Sequence, residues 1–207
     1  MIKKYPPPKY ELIIEPFAGT ARYSLLYHDR QVVLNDLYTV IADNWKYLIN
    51  ATPEQIMNLP NLNCGDDLRD LNLPLVEKNL LGFVVARGET TPNNYYSAWA
   101  SKSNDIERFK KRVLGYLDKI RHFKIICEDY RSLNNLEATW FIDPPYQVGG
   151  HKYVHNQINY EELAEWCKTR NGQVIVCEQV PADWLEFRPL TEVRGLRKNH
   201  KELIWTN

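Results

Sequence analysis

Asp143-Pro144-Pro145-Tyr146 follows directly on the apolar run ATWFI at 138–142. In an open α/β sheet, ligands bind beyond the carboxyl ends of the strands, so this tetrapeptide stands where chemistry is usually done. Two successive prolines remove two backbone donors and leave only carbonyls as main-chain polar groups. An aspartate beside such carbonyls and an aromatic ring can accept both hydrogens of a planar exocyclic amine while the ring stacks on the attached base. A Pro-Pro turn that merely ends a strand would carry the same residues, and a second signal is needed. Glu15-Pro16-Phe17-Ala18-Gly19-Thr20-Ala21 supplies it, joining a first strand to a helix. Gly19 lets a ligand approach the backbone, and the helix N-terminus behind it favours a carboxylate or phosphate. Asp36 ends the second strand, 17 residues beyond Gly19, which is the separation of an acid that holds ribose hydroxyls.

The elements that must position these residues alternate between strand-like and helix-like periodicity, the pattern of an α/β domain. Strands are predicted at 11–17, 31–35, 123–127, 138–142 and 173–177, and helices at 20–27, 37–49 and 160–169. Segments 187–193 and 202–206 read as a terminal hairpin. The whole predicts a Rossmann-like, doubly wound and mostly parallel seven-stranded sheet in a single domain, 1–207. Residues 53–122 break the rhythm with helical patches and a polar loop at 88–94, and read as a helical insertion that returns along one helix at 106–121.

The 207 residues are 44% hydrophobic and 25% charged, with 26 basic side chains against 26 acidic ones. That is an ordinary core-forming composition, with no global field to draw the chain to a polyanion, so nucleic-acid binding would have to use local patches. No apolar run is long enough to span a membrane. The opening MIKKYPPPKYELIIEPF lacks a signal peptide's apolar stretch, and the expected location is cytoplasmic. Cys64, Cys127, Cys167 and Cys177 form no CxxC pair. Disulfide and zinc frameworks are therefore not expected, and the last three read as thiols in apolar surroundings. His151 and His155 lack a third ligand nearby. No Ser-His-Asp order or GK[ST] phosphate loop supports a hydrolase or ATPase.

In order along the chain, EPFAGTA, Asn35-Asp36, Glu128-Asp129-Tyr130 and DPPY resemble the S-adenosylmethionine-dependent DNA adenine-N6 methyltransferases of the Dam type. The likeness runs over most of the chain, including the closing ELIWTN. It implies the methyltransferase version of the Rossmann-like fold, with S-adenosyl-L-methionine as cofactor and no metal. Glu15, Pro16, Phe17, Ala18, Gly19 and Thr20 would hold the methionine part, and Asp36 the ribose. Asp129 and Tyr130 would flank the cofactor adenine. Asp143, Pro144, Pro145 and Tyr146 would hold and activate the target adenine, with Asp143 also facing the cofactor. The implied partner is double-stranded DNA in a bacterium or its phage, with the adenine flipped out of the duplex and stacked on Tyr146. RNA-base or protein-glutamine methylation, and an inactive methyltransferase-like DNA-binding subunit, are the alternatives. The family's lysine-containing glycine-rich opening is reduced here to Lys3 and Lys4, and Ala21 stands where many relatives have a second glycine.

Two basic runs would suit phosphates. Residues 105–124 hold Arg108, Lys110, Lys111, Arg112, Lys119, Arg121 and Lys124, and residues 188–201 hold Arg188, Arg194, Arg197, Lys198 and Lys201. A solvated helix face explains such runs equally well. In the insertion, the candidate target-recognition region, Arg87, Asn93, Asn94, Tyr95 and Tyr96 have groups suited to base edges. The loop at 147–156, with Gly149-Gly150, is placed to close over a flipped base.

Overall fold

The computed structural model describes residues 2–86, 88–101, 105–194 and 199–207. Arg87, Arg197 and Lys198, three of the basic candidates, lie outside the described residues.

The strands are β1 (Leu12–Glu15), β2 (Gln31–Asn35), β3 (Lys124–Ile126), β4 (Ala138–Ile142), β5 (Gly172–Gln179), β6 (Arg188–Arg194) and β7 (Asn199–Thr206). They form one sheet in the order β3-β2-β1-β4-β5-β7-β6. The pairs from β3 through to β5 are parallel, while β7 is antiparallel to both β5 and β6. Only β7 runs against the other six, so the sheet is mostly parallel, as expected, with a reversed strand near one edge. The interior strands read as unbroken apolar runs because both of their faces are covered; all five residues of β4 are buried. From β1 the chain winds outward through β2 to β3, then returns to β4 on β1's other side. The strand order thus reverses between β1 and β4, which opens a crevice at their carboxyl ends.

The molecule divides into two compact units. One comprises Met1–Thr39 with Phe123–Asn207, and the other Val40–His122. In the first, α1 (Arg22–Leu26) follows β1, and α8 (Tyr160–Lys168) lies between β4 and β5 in sequence. Leu163, Ala164 and Cys167 of α8 pack against Trp140, Ile142, Val174 and Val176 on one sheet face. On the other face, Phe141 stacks on Tyr23 at 4.2 Å and meets the edge of Tyr5 at 5.2 Å. Residues 2–5 thus cover the sheet: Tyr23 donates to the Pro6 carbonyl at 2.7 Å, and Lys4 reaches Thr191 on β6. Cys167 and Cys177 are buried free thiols as expected, whereas Cys127 is only half-buried.

The second unit is helical, with α2 (Thr39–Asn50, beginning one residue earlier), α3 (Pro53–Asn58), α4 (Leu75–Ala86), α5 (Ala98–Ser101), α6 (Asp105–Leu114) and α7 (Leu117–Ile120). Thr52 and Gln55 close a reciprocal cap on α3, with Pro53 pre-setting its first turn. Its core gathers Ile56, Leu68, Leu81, Val85, Ile106 and Leu117. Gly82 has a positional reason, since a Cβ there would stand 2.6 Å from Pro92. The single helix expected at 106–121 is two helices broken around Gly115, where helix propensity is lowest. The basic run here is not one phosphate-facing stripe. Lys110 is buried and donates to the Met57 carbonyl and to Asn61, and Arg121 caps the Ile49 and Ala51 carbonyls that end α2. Arg108, Lys111 and Arg112 remain on the exposed side of α6. Tyr96, a candidate base reader by sequence, is instead 3% exposed and part of this core.

Candidate active site

Both chemical segments meet at the crevice where the strand order reverses. EPFAG leaves the end of β1 and DPPY leaves the end of its neighbour β4.

The turn after β1 is held by its own backbone and by side chains from β2. The Ala18 N–H donates to the Asn35 carbonyl, and the Gly19 N–H donates to Asp36 Oδ2 at 2.9 Å. Gly19 has φ +45°, and open space surrounds the place where a Cβ would stand. Ala21 also has φ +45° and lies just before α1. The chain therefore adopts the left-handed backbone that a second glycine would serve, and does so with an alanine at a cost of about 1–2 kcal/mol. Asp36 Oδ1 accepts from the Tyr38 N–H at 2.9 Å. Burial raises the Asp36 pKa, while those two N–H groups and His155 oppose the rise. Each oxygen of Asp36 thus holds one backbone donor and keeps a second lone pair for a ligand.

Asn35, to which the sequence assigned no task, ties three strand ends together. Its Nδ2 donates to the Pro16 and Glu128 carbonyls at 3.0 and 2.9 Å, and its Oδ1 accepts from the Glu128 N–H at 3.0 Å. Asp129 caps the short helical turn Tyr130–Ser132 and pairs with Arg131 through two bonds, Nε to Oδ1 at 2.8 Å and Nη2 to Oδ2 at 2.7 Å. That pairing holds its pKa below the ordinary value. The carboxylate is thus committed to Arg131, while the Tyr130 ring stands 5.4 Å from Phe17. Of the pair expected to flank a cofactor adenine, Tyr130 therefore packs beside Phe17, while Asp129 points into an ion pair.

Glu15, at the end of β1, is 2% exposed and accepts from the Ser24 N–H of α1 at 2.8 Å. Burial pushes its pKa up to about 8, with Asp143 adding to the rise and the Ser24 bonds opposing it. Asp143 differs, because it keeps a solvent-facing surface while Ile142, Pro144 and Pro145 beside it are buried. Protein still crowds its carboxyl. That crowding first, and then Glu202 and Glu178, raise its pKa to about 6 against a hydrogen bond from Tyr146. Tyr160 donates to the Pro145 carbonyl at 2.8 Å. With Pro145 so engaged, Asp143 and the Pro144 carbonyl are the acceptors the segment offers.

Glu178, just after the apolar run QVIVC, would by sequence either line the site or simply end the strand. It is fully buried within β5, where Oε1 accepts from Gln147 N and Trp184 Nε1, and Oε2 from Gln179 N. It fixes the chain leaving DPPY. Beyond it, the 147–156 loop runs across the crevice. Tyr153, 47% exposed, has its pKa raised first by burial and then by both Asp143 and Asp36. His155 meets Tyr38 edge-on at 6.2 Å. Tyr160 is a site residue that the motifs missed, and the contacts of Asn35, Glu178 and Glu202 could not be read from spacing, because each acts on a residue distant in sequence.

Among the described residues no group of three or more His, Cys, Asp or Glu is arranged to hold a metal ion, and no helix is long and apolar enough to cross a membrane. No family model and no curated protein matches the chain. Among solved structures, it is similar to the "putative methylase HI0767 from Haemophilus influenzae", at 10% identity over 93% of this chain and 84% of that one, with a TM-score of 0.38. It is also similar to the "putative methyltransferase yhhF from Escherichia coli", at 11% identity over 93% and 74% of the two chains, with a TM-score of 0.35. At these scores neither likeness bears on the chemistry, which rests on the crevice itself.

Proposed function

We propose that this protein transfers a methyl group from S-adenosyl-L-methionine to the N6 amino group of adenine in DNA. The observation that carries the reading is the placement of two segments at one crevice. A glycine turn clamped by the acid of β2 stands beside an Asp-Pro-Pro-Tyr segment whose aspartate is open to ligand.

The residues present fit the cofactor. Space lies above Gly19, Asp36 has lone pairs left for hydroxyls, and Phe17 with Tyr130 offers an aromatic edge. Asp36 and Asp143 place carboxylates at the crevice, which suits a sulfonium cation. When bound, S-adenosylmethionine supplies an electrophilic methyl group and leaves as the neutral thioether. The chain's own task is to make the amine nucleophilic. Adenine N6 attacks poorly because its lone pair is delocalised into the ring. Asp143 and the Pro144 carbonyl, by accepting its two hydrogens, localise that pair, and Asp143 takes the surplus proton once the new bond is made. A rigid frame for these acceptors lowers the barrier by positioning, and Tyr160 and Glu178 supply that frame. The target base must leave its duplex to reach Asp143. In the helical unit, the exposed Arg108, Lys111 and Arg112 suit phosphates, and the exposed Asn93, Asn94 and Tyr95 suit base edges.

The test offers labelled S-adenosylmethionine with duplex DNA, single-stranded DNA, RNA and a glutamine-bearing protein as acceptors, followed by chromatography of the hydrolysed products. Labelled N6-methyladenine from DNA is the expected result. Label confined to RNA or to glutamine would replace the substrate, and label in none of them would remove the enzymatic reading.

A further inference from the structure

Residues 183–187 carry none of the sequence motifs, yet they close around the chain that leaves Asp-Pro-Pro-Tyr. Two main-chain groups of that chain are bonded to other elements. The Pro145 carbonyl accepts from the Tyr160 hydroxyl of α8 at 2.8 Å, and the Gln147 N–H donates to Glu178 Oε1 of β5 at 2.7 Å. Between them, the Tyr146 carbonyl closes a local turn with the Gly150 N–H. Trp184 meets both of the holding side chains. Its Nε1–H donates at 3.2 Å to the same Glu178 oxygen that receives Gln147 N, and its ring stands 5.5 Å from that of Tyr160. Phe187 meets the indole edge-on at 5.1 Å. Asp183, one residue earlier, grips the Gln147 side chain: its Oδ1 accepts from Gln147 Nε2 at 3.1 Å, and its N–H donates to Gln147 Oε1 at 3.2 Å.

We propose that Trp184 is a positioning residue for the methyl-transfer reaction: one indole sets both side chains that anchor the segment after Asp143, and so aims Asp143 and the Pro144 carbonyl at the substrate amine. This rests on the methyl-transfer reading given above. Asp143 leaves β4, whose Ile142 is paired with Val176, so the sheet fixes the near end of the segment. The rings of Pro144 and Pro145 lock φ, and a stiff dipeptide points where its two ends are held. Tyr160 and Glu178 hold the far end. With the indole donor present, Glu178 Oε1 is fixed from two directions; without it, that oxygen is fixed by the Gln147 N–H and the hold loosens. The Trp184 ring likewise limits the swing of Tyr160, whose hydroxyl must reach the Pro145 carbonyl. A displacement of about 1 Å in groups that orient a substrate costs on the order of a hundredfold in rate.

Trp184→Phe keeps a ring against Tyr160 and removes the donor to Glu178, while Trp184→Leu removes both. Transfer of labelled methyl to duplex DNA is measured beside amide hydrogen exchange at Gln147. In Trp184→Phe, kcat should fall about tenfold or more, with KM for DNA and for S-adenosylmethionine within about twofold of the parent's. Trp184→Leu should lose about tenfold more. Exchange at Gln147 should quicken about tenfold in Trp184→Phe, while the amides of β1 keep the parent's rates. A residue that serves only the fold would quicken exchange through the whole sheet and leave kcat per folded molecule unchanged. Unmoved exchange at Gln147 in folded Trp184→Phe overturns the proposal, and so does an unmoved kcat beside an active parent. If Trp184→Phe does not fold, the benzothiophene analogue of tryptophan at this position, which keeps the shape of the ring without its N–H, is held to the same criteria. Exchange needs no turnover, so the two readings fail separately. Quickened exchange at Gln147, with a parent that methylates no acceptor, would sink the proposed function and leave the tie from Trp184 to Gln147 standing.

Discussion

Asp36 clamps Gly19: the carboxylate that ends β2 accepts the glycine's N–H at 2.9 Å across the crevice mouth, while its other oxygen takes the Tyr38 N–H. An acid expected only to bind a ribose therefore also shapes the turn beside it. Asp36→Asn keeps one acceptor oxygen and sets an amide NH2 against an N–H, so one of the two backbone donors loses its partner. The expected outcome is a loss of about tenfold or more in S-adenosylmethionine affinity by calorimetry. The loss should be accompanied by faster amide exchange at Gly19 or Tyr38. A variant that bound the cofactor as the parent does would remove Asp36 from the site.

Ala21 carries a left-handed backbone that glycine adopts without penalty. Ala21→Gly should leave stability unchanged or raise it by up to about 1 kcal/mol, the relief of strain being partly offset by glycine's larger unfolded-state entropy. Ala21→Val should lose about 1 kcal/mol or more, because a β-branched side chain tolerates this conformation least. Urea unfolding of the three proteins checks the order.

Glu178 satisfies three donors at once. Glu178→Ala leaves Gln147 N, Gln179 N and Trp184 Nε1 to find other partners, with an expected destabilisation of about 2–4 kcal/mol. Methyl transfer should fall further than the loss of folded protein accounts for, since the chain after DPPY is released. Thermal melts and transfer rates on the same samples separate the two effects.

Glu15 gives a pH signature. Its folded-state pKa of about 8 lies above the ordinary 4.5, so the native state binds the extra proton across that window. Its contribution is fully present below about 4.5 and is lost as pH rises through about 8. Glu15→Gln, which cannot ionise, should therefore flatten the fall in melting temperature between pH 5 and 8, and gain on the parent towards alkaline pH. A parent whose melting temperature rose over that interval as much as the variant's would contradict the assignment.

Much of the scaffold was legible because apolar periodicity reports burial directly. Strands 31–35 and 138–142 were read to the residue, as β2 and β4. The position of DPPY followed from the second of these. What escaped was set by partners far along the chain. The terminal hairpin was legible, and with it the reversal of β7 against β6; that β7 lies beside β5 depends on which strand it meets, and nothing local to residues 199–206 encodes that. Asn35, Tyr160 and Glu202 have the same explanation, since each is an ordinary polar residue until the fold brings its acceptor or donor close. The long helix expected at 106–121 ignored what Gly115 does within it. Counting charges there likewise could not distinguish Lys110 and Arg121, spent on carbonyls, from the exposed Lys111 and Arg112.

The most direct measurement compares the parent with Asp143→Asn in the transfer of labelled methyl from S-adenosylmethionine to adenine N6 of duplex DNA. Asparagine keeps the shape of the side chain but replaces one acceptor with a donor aimed at the substrate amine. The parent should label N6, with a rate that climbs as pH rises through about 6. Asp143→Asn should bind S-adenosylmethionine yet transfer at least about a hundredfold more slowly. Transfer by the variant at the parent's rate would contradict the account, because the amine would then be activated somewhere other than at Asp143.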